Sequence, residues 1–430
     1  MWLLPACAET SPAPTVVTDV TVEDVPGNAL RKLVHVELPE AAAVEVVCEA
    51  DGERLVWRDD AVTTTHAVRA VGLLAETEFA CTVAETPFTL RTDALPATLP
   101  VATVTGETAD WTLFNHEGLC AEETDPEKLM VVDAAGRVRW YETFHFAGAD
   151  LEARWLGGDR VLAGGRNLAP VVLDTWGETT WASGLAGEFH HDVDVVGDDV
   201  LALSVAEATD GAFRWDGFAV TRVAPDGAVT WAWDSQAAVD AGTLPPGEVV
   251  DPWHANDVTW IDDGVWVSLH YLSQVVRVDV ATGLVDHKVG EGGDFVLTEG
   301  TWFSGVHAPE WDGDRLMLYD NRAFVGDHAN TRVVEYVVDL DAKTARQTWE
   351  WSEEAWHDLA FGDVDRLADG HVLVTMGHAA CWFGDDGRVT SIVEVDPATG
   401  AVTWRADFGV EDVVYRSQRI DACEMFGGCR

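Results

Sequence analysis

FHHDVDVVGDDVLALS (189–204), HANDVTWIDDGVWVSL (254–269), VHAPEWDGDRLMLYDN (306–321) and FGDVDRLADGHVLVTMG (361–377) are copies of one phrase, and ADLEARWLGGDRVLAGG (149–165) is a fifth copy without histidine. Each copy opens with a strand, turns on a Gly-Asp or Asp-Gly type pair and continues as a hydrophobic strand, the pattern of a β-hairpin. Six further strand pairs alternate with these phrases, among them PVVLDTWGETTWAS (170–183) and SIVEVDPATGAVTWRAD (391–407). Their corresponding positions, Trp140, Trp181, Trp231, His287, Trp349 and Trp404, stand 41, 50, 56, 62 and 55 residues apart. That spacing suits a four-stranded antiparallel blade, so the chain is predicted to be all-β, with a six-bladed β-propeller over residues 111–421. Only five opening phrases precede their outer pairs. The sixth opening strand is VVYRSQRID (413–421) at the end of the chain, expected to close the ring beside the blade begun near Trp111. One large aromatic per repeat is what packing between blades demands, so these tryptophans read as core.

Ahead of the repeats, residues 18–96 alternate in strand fashion through VEVVCEA, RLVWRD, HAVRAVG and EFACTVA. The stretch GLLAETEFACTV with its exit FTLRTDALP resembles the late strands of a fibronectin type III sandwich, with Phe79 where a tyrosine is usual. Residues 1–17 read as a tether, because LLPAC resembles a bacterial lipobox and is followed by a Pro/Thr/Ser-bearing stretch; only six residues precede Cys7. The likeness implies lipidation at Cys7 and attachment to a membrane surface. The other six cysteines are an even set. Cys48 and Cys81 share the small domain, Cys120 and Cys381 fall on neighbouring blades, and Cys423 and Cys429 lie in the tail, 422–430. Disulfides and export to the periplasm or cell surface are expected on that arithmetic.

Acidic residues outnumber basic ones by 75 to 27, giving a net charge of −48, and only four of the basic residues are lysines. Such a surface repels nucleic acid at long range, which excludes it as a partner. An anionic substrate needs a local patch of positive charge.

In a propeller the opening strands line the central channel, so equivalent positions converge on the axis. Those positions carry His190 and His191, then His254 and Asn256, then His307. His270 and Tyr271 follow on the strand adjacent to His254, the terminal strand adds Tyr415 and Arg416, and Arg322 lies in the loop after YDN. Three histidine copies at one repeat position, against an acidic background, point to a functional cluster.

The series HHD, WHAND, a histidine before the strand ending YDN, FGDVDRLADGHVLV and a terminal YR resembles the bacterial arylsulfate sulfotransferase family. The resemblance runs from about residue 18 to the end and implies a six-bladed propeller behind an N-terminal sandwich. It implies that His307 takes up the sulfuryl group, that His254 and His191 bind or protonate around it, that Asn256 lies near the sulfate and that Tyr415 stands at a terminal tyrosine of the pocket. Where that family carries Ser-x-Arg-His, this chain reads Ser268-Leu269-His270-Tyr271, with His270 in place of the arginine. A transferring sulfuryl group spreads negative charge over its oxygens and needs positioned donors and positive charge. Arginine is always cationic and histidine is not. Three explanations stay open: the acidic field holds His270 protonated, Arg322 or Arg416 reaches in, or the activity has changed.

The implied reaction is a two-step exchange from an aryl sulfate to a phenol through a sulfohistidine, with no cofactor and no nucleotide sulfate donor. No GxxxxGK[ST] loop is present. Two rival readings stand beside it. Four imidazoles, His191, His254, His270 and His307, are a set that holds iron or zinc. A non-catalytic surface scaffold is the other.

Overall fold

The computed structural model describes residues 16–117, 126–145, 151–211, 213–326, 329–378 and 388–427. Two compact units emerge, one of Met1–Pro96 with Phe426–Arg430 and one of Ala97–Met425.

The smaller unit is a five-stranded sheet, with Thr86–Arg91 completing it beside Glu78–Val83. Lys32–Ala50 pairs with Glu53–Ala70 along nearly its whole length, with Asp19–Asp24 beside its first half and Glu78–Val83 beside its second. The long hairpin bends where its register slips between Glu37 and Val44. Val34, Val36, Val46 and Cys48 keep a single inward parity across that bend and form the core. Cys48 and Cys81 face each other across the paired strands and are joined by a disulfide. Cys423, on the short helix Ala422–Met425, is also disulfide-bonded. Cys7, Cys120, Cys381 and Cys429 lie outside the described residues. A disulfide fits an oxidising compartment outside the cytoplasm. No described helix is long and apolar enough to cross a membrane.

Among the described residues, the larger unit holds six sheets in a propeller-like arrangement. The first joins Ser417–Ile420, Trp111–His116, Glu127–Val132 and Val138–Phe144, so the last strand of the chain pairs with one of the first. The second spans Glu152–Trp155 to Thr179–Ala182, the third Phe189–Val196 to Val229–Asp234 and the fourth Ala255–Ile261 to Val285–Gly290. The fifth runs from Val306–Asp312 to Thr344–Trp351 and gains a parallel edge strand, Val296–Glu299. The sixth runs from Asp363–Arg366 to Ala401–Asp407 and gains Thr103–Gly106. Opening strands of successive sheets lie side by side. Ser417–Ile420 completes the round, touching Glu152–Trp155 on one side and Val372–Met376 on the other.

Local sequence explains the hairpins. The pairings Val196 with Asp199, Ile261 with Gly264 and Asp312 with Arg315 leave two-residue loops, Gly197-Asp198, Asp262-Asp263 and Gly313-Asp314. Their first residues have φ of 63°, 52° and 61°, the left-handed backbone that Gly and Asp tolerate and that tight hairpins require. The second strands, such as Gly264–Leu269, are buried on both faces, which is why they read as unbroken apolar runs.

The tryptophans bridge the sheets. Each follows a register shift in its outer strand and donates its indole N–H to the next sheet's turn: Trp140 to the Thr175 carbonyl (2.8 Å), Trp181 to Pro225 (2.9 Å), Trp231 to Val280 (3.3 Å), Trp349 to Pro397 (3.1 Å) and Trp404 back to Ala134 of the first sheet (3.0 Å). Trp404 thereby ties the last sheet to the first. Trp404→Phe, which keeps the ring and removes the donor, is expected to lower unfolding free energy by about 1 kcal/mol, read by urea denaturation. An unchanged midpoint would show that the bond does not contribute to closure.

Candidate functional site

At the inner end of three opening strands the ladder is interrupted. Register slips between Phe189 and Val193, Ala255 and Asp257, and His307 and Glu310. His191, His254, Ala308 and Phe361 sit at φ of 63°, 48°, 45° and 65°, a conformation that costs a residue with a Cβ about 1 kcal/mol or more. Left-handed residues recur in four sheets and bulges in three of them, and together they re-aim the first side chains of the strand.

Polar side chains cross the seams and bond backbone groups of the neighbouring opening strand. Asp192 accepts from Val258 N–H (2.7 Å), Asn256 donates to the Val306 carbonyl (2.9 Å), Glu310 accepts from Arg366 N–H (2.9 Å) and Asp363 from Ser417 N–H (3.1 Å). The acidic position that the sequence repeats beside the histidines is thus structural. Asn256 belongs to the same set: fully buried, it also accepts from the Ser268 hydroxyl and holds the His307 strand in place.

Held this way, the imidazoles form a chain of rings. Centroids are 4.8 Å apart from His190 to His191, 4.6 Å from His191 to His254, 5.9 Å from His254 to His270 and 4.9 Å from His270 to His307. Tyr415 packs beneath, 6.1 Å from His191 and 5.9 Å from His307. Tyr271 and Phe324 are exposed aromatics at the mouth, against His254 and His270. The structure brings His190, His191, His254, His270, His307 and Tyr415 together.

Two partners escaped the sequence reading. Asp251 accepts from the backbone N–H of His254 (2.9 Å) and from its Nδ1 (2.6 Å). Burial alone would raise the Asp251 carboxyl, but the bonds from His254 outweigh it and hold the group below its usual range. A carboxylate at Nδ1 leaves Nε2 of His254 as the position that exchanges a proton. Asn321, two residues after Tyr319, lies 2.7 Å by its Oδ1 from His307 Nδ1. The DPWH spacing and the N of YDN were the available signals.

Charge states separate the candidates. Burial, then the neighbouring His270, holds His307 well below the ordinary imidazole value, so its ring is neutral and nucleophilic. Burial and His254 push His270 down to about 3. The acidic surface therefore does not keep His270 cationic, because desolvation dominates where the side chain sits. His270 also hydrogen-bonds the Val306 carbonyl, and its Nδ1 has no partner among the described residues.

Neither named arginine fills the gap. Arg416 is buried and committed to other partners: Nη1 donates to Asp257 (2.9 Å), Nη2 to the Asn256 carbonyl (2.8 Å), and Nε lies 2.8 Å from Glu152. Arg322 donates its backbone N–H to the Asp320 carboxylate (3.1 Å); among the described residues it bonds none of the histidines, and its Nε is buried without a partner. A pocket of about 150 Å³ beside His190, His191 and His254 is lined by Arg166, paired at 4.0 Å with Glu188, and by the carboxyl groups of Asp216 and Asp251. A larger cavity of about 570 Å³ has no histidine in its wall, which sets Glu152, Asp257, Glu310, Asp312, Asp363 and Asp365 against Arg154, Arg315, Arg366 and Arg416.

The four-imidazole metal reading also meets the geometry. Among the described residues, Asp369, His371 and Glu394 are the one group whose ligand atoms all lie within 4.8 Å of one another. His191, His254, His270 and His307 form a chain of rings and no such group.

A family model described as Arylsulfotransferase (ASST) matches residues 98–416. No curated protein matches the chain. Solved structures similar to it include a Bacteroides thetaiotaomicron protein of unknown function (12% identity, 90% of this chain and 86% of that one, TM-score 0.38). BamB from Moraxella catarrhalis (14%, 90% and 91%, 0.28) and the periplasmic gluconolactonase PpgL of Pseudomonas aeruginosa (14%, 88% and 99%, 0.35) are similar in the same degree.

Proposed function

From the premise that the chain belongs to the arylsulfotransferase family, we propose that it moves a sulfuryl group from an aryl sulfate to a phenol through a covalent intermediate on His307. The observation that carries the reading is a neutral, buried His307 at the end of a histidine chain whose member His254 is oriented by a carboxylate.

In the first step a ring nitrogen of His307 attacks sulfur with its lone pair. The S–O bond to the aryl group breaks, and the departing phenolate takes a proton from the His254 imidazolium. In the second step neutral His254 removes the proton of an acceptor phenol. The phenolate oxygen attacks sulfur, and the S–N electron pair returns to His307. Asp251 supports the imidazolium between the two steps. Positive charge for the sulfuryl oxygens comes in this reading from His254 and Arg166, in place of the family arginine. Tyr271 and Phe324 offer faces on which an aryl ring stacks.

In this reading the six sheets are the blades of one six-bladed propeller and the small unit is a fibronectin-like spacer. Residues 1–17 tether an exported protein through lipidated Cys7, and the tail and the pair Cys120 and Cys381 carry further disulfides.

Brief exposure of the purified protein to a chromogenic aryl sulfate is expected to add one sulfuryl group to the peptide containing His307, seen by mass spectrometry, and a phenol is expected to remove it. Absence of both adduct and released phenolate would sink the proposal and bring the scaffold reading forward.

A further inference from the structure

Asn321 is almost fully buried, immediately after the strand Arg315–Asp320, with its backbone N–H bonded to the Gly305 carbonyl at 2.9 Å. Its side-chain Nδ2 donates to two backbone carbonyls at the fifth-to-sixth sheet seam, Asp358 at 2.9 Å and Phe361 at 3.0 Å. Carbonyl oxygens only accept. Turning the amide over would set its own oxygen against both and lose two bonds, so chemistry dictates which end of the amide faces which way. The Asp358 end of this frame is itself held firmly. The Thr331 hydroxyl accepts from Asp358 N–H at 2.8 Å, and the Asp358 carboxylate accepts from Tyr319 (2.7 Å) and Trp356 (2.5 Å). Asn321 Oδ1 is thereby committed to face His307 Nδ1 at 2.7 Å, and an amide oxygen in that place requires a hydrogen on Nδ1. A neutral imidazole has one N–H, so the lone pair is on Nε2.

We propose that Asn321 is a positioning residue that holds His307 as the Nδ1–H tautomer and thereby makes Nε2 the nitrogen that takes the sulfuryl group. The inference rests on the sulfohistidine reading and adds to it the atom and the residue that selects the atom. As the N–S bond forms, the ring loses electron density, and the Nδ1–H bond to Asn321 becomes charge-assisted and stronger; the residue favours the intermediate as well as the attack.

The test uses the full chain labelled with 15N-histidine, with the His307 signals identified by their loss in His307→Ala. Long-range proton–nitrogen correlation of the substrate-free protein should show a protonated Nδ1 and an unprotonated Nε2; a protonated Nε2 overturns the inference. After reaction with an aryl sulfate, the sulfuryl group should be on Nε2. An adduct on Nδ1 overturns the inference and leaves the covalent reading standing, whereas Nδ1–H with no adduct at all overturns the reading on which it rests. Two variants separate tautomer control from seam stability, since both lose the bonds to Asp358 and Phe361. Asn321→Asp still accepts at Nδ1 and should keep the Nδ1–H signal. Asn321→Ala should lose that preference and reduce kcat about 10- to 100-fold with little change in KM. Equal loss of the signal in both variants, or its retention in Asn321→Ala, counts against the proposal.

Discussion

Replacing His307 by alanine is expected to reduce kcat for aryl sulfate turnover by about 10⁴-fold or more, because no other group at the site then carries the sulfuryl intermediate. The change removes a ring from a packed cluster but no seam-crossing bond of the backbone, so folding should persist and circular dichroism should be unaltered. Free imidazole, small enough for the space left behind, is expected to restore part of the rate. Wild-type protein should show no loss of rate from protonation of His307 near pH 6.5. Burial lowers the pKa of this group, so its basic, nucleophilic form is complete above that lowered value, and the acid limb falls well below the ordinary imidazole range. Retention of more than about one-tenth of the activity in His307→Ala would show that the chemistry happens elsewhere.

Arg416→Met is expected to be the most destabilising single change in the larger unit, by about 3–5 kcal/mol at pH 8. The guanidinium lies among Glu152, Asp257 and Asp363, all buried, and methionine fills its volume without its charge. Burial and Asp192 already push the Asp257 carboxyl up to about 8 despite Arg416, and burial raises Glu152 well above its usual range. The sign follows from these raised values. Between about pH 4, where unfolded Asp titrates, and about pH 8, the folded state holds a proton on Asp257 that the unfolded chain has released, so this group makes stability fall as pH rises through that window. Without Arg416 the carboxyl groups hold their protons to still higher pH, so wild type and variant fall in parallel below about pH 8 and the penalty from Asp257 grows above it, where only the wild-type carboxyl gives up its proton. Urea denaturation at pH 8 and pH 10 checks it. A destabilisation that is equal at the two pH values would mean that the loss is one of packing and not of charge.

Legibility in the sequence tracked how local the determining physics was. Two-residue turns at Gly197-Asp198 and Gly313-Asp314 are decided by backbone sterics within four residues, and they were readable. Convergence of His191, His254 and His307 was readable too, because a repeat carries one position to the same place in each sheet. The role of the acids beside them was not. Asp192, Glu310 and Asp363 bond backbone groups 66, 56 and 54 residues away, and no local pattern distinguishes such a carboxylate from a catalytic one. Arg416 read as a ligand for substrate, since its position on the terminal strand is at the axis, but its partners Glu152 and Asp257 come from two other sheets.

By itself the sequence determined the hairpins, the spacing of the tryptophans that bridge neighbouring sheets, and the repeat position that gathers histidines at one place. These follow from alternation, turn chemistry and periodicity, all properties of short segments. The tertiary structure alone decided the state of each gathered group. It made His270 neutral against an acidic background, gave Asp251 to His254 and Asn321 to His307, and enclosed Arg416 in carboxylates. Desolvation and hydrogen bonding depend on what every other sheet places within a few ångströms, and that distance is measured through space and not along the chain.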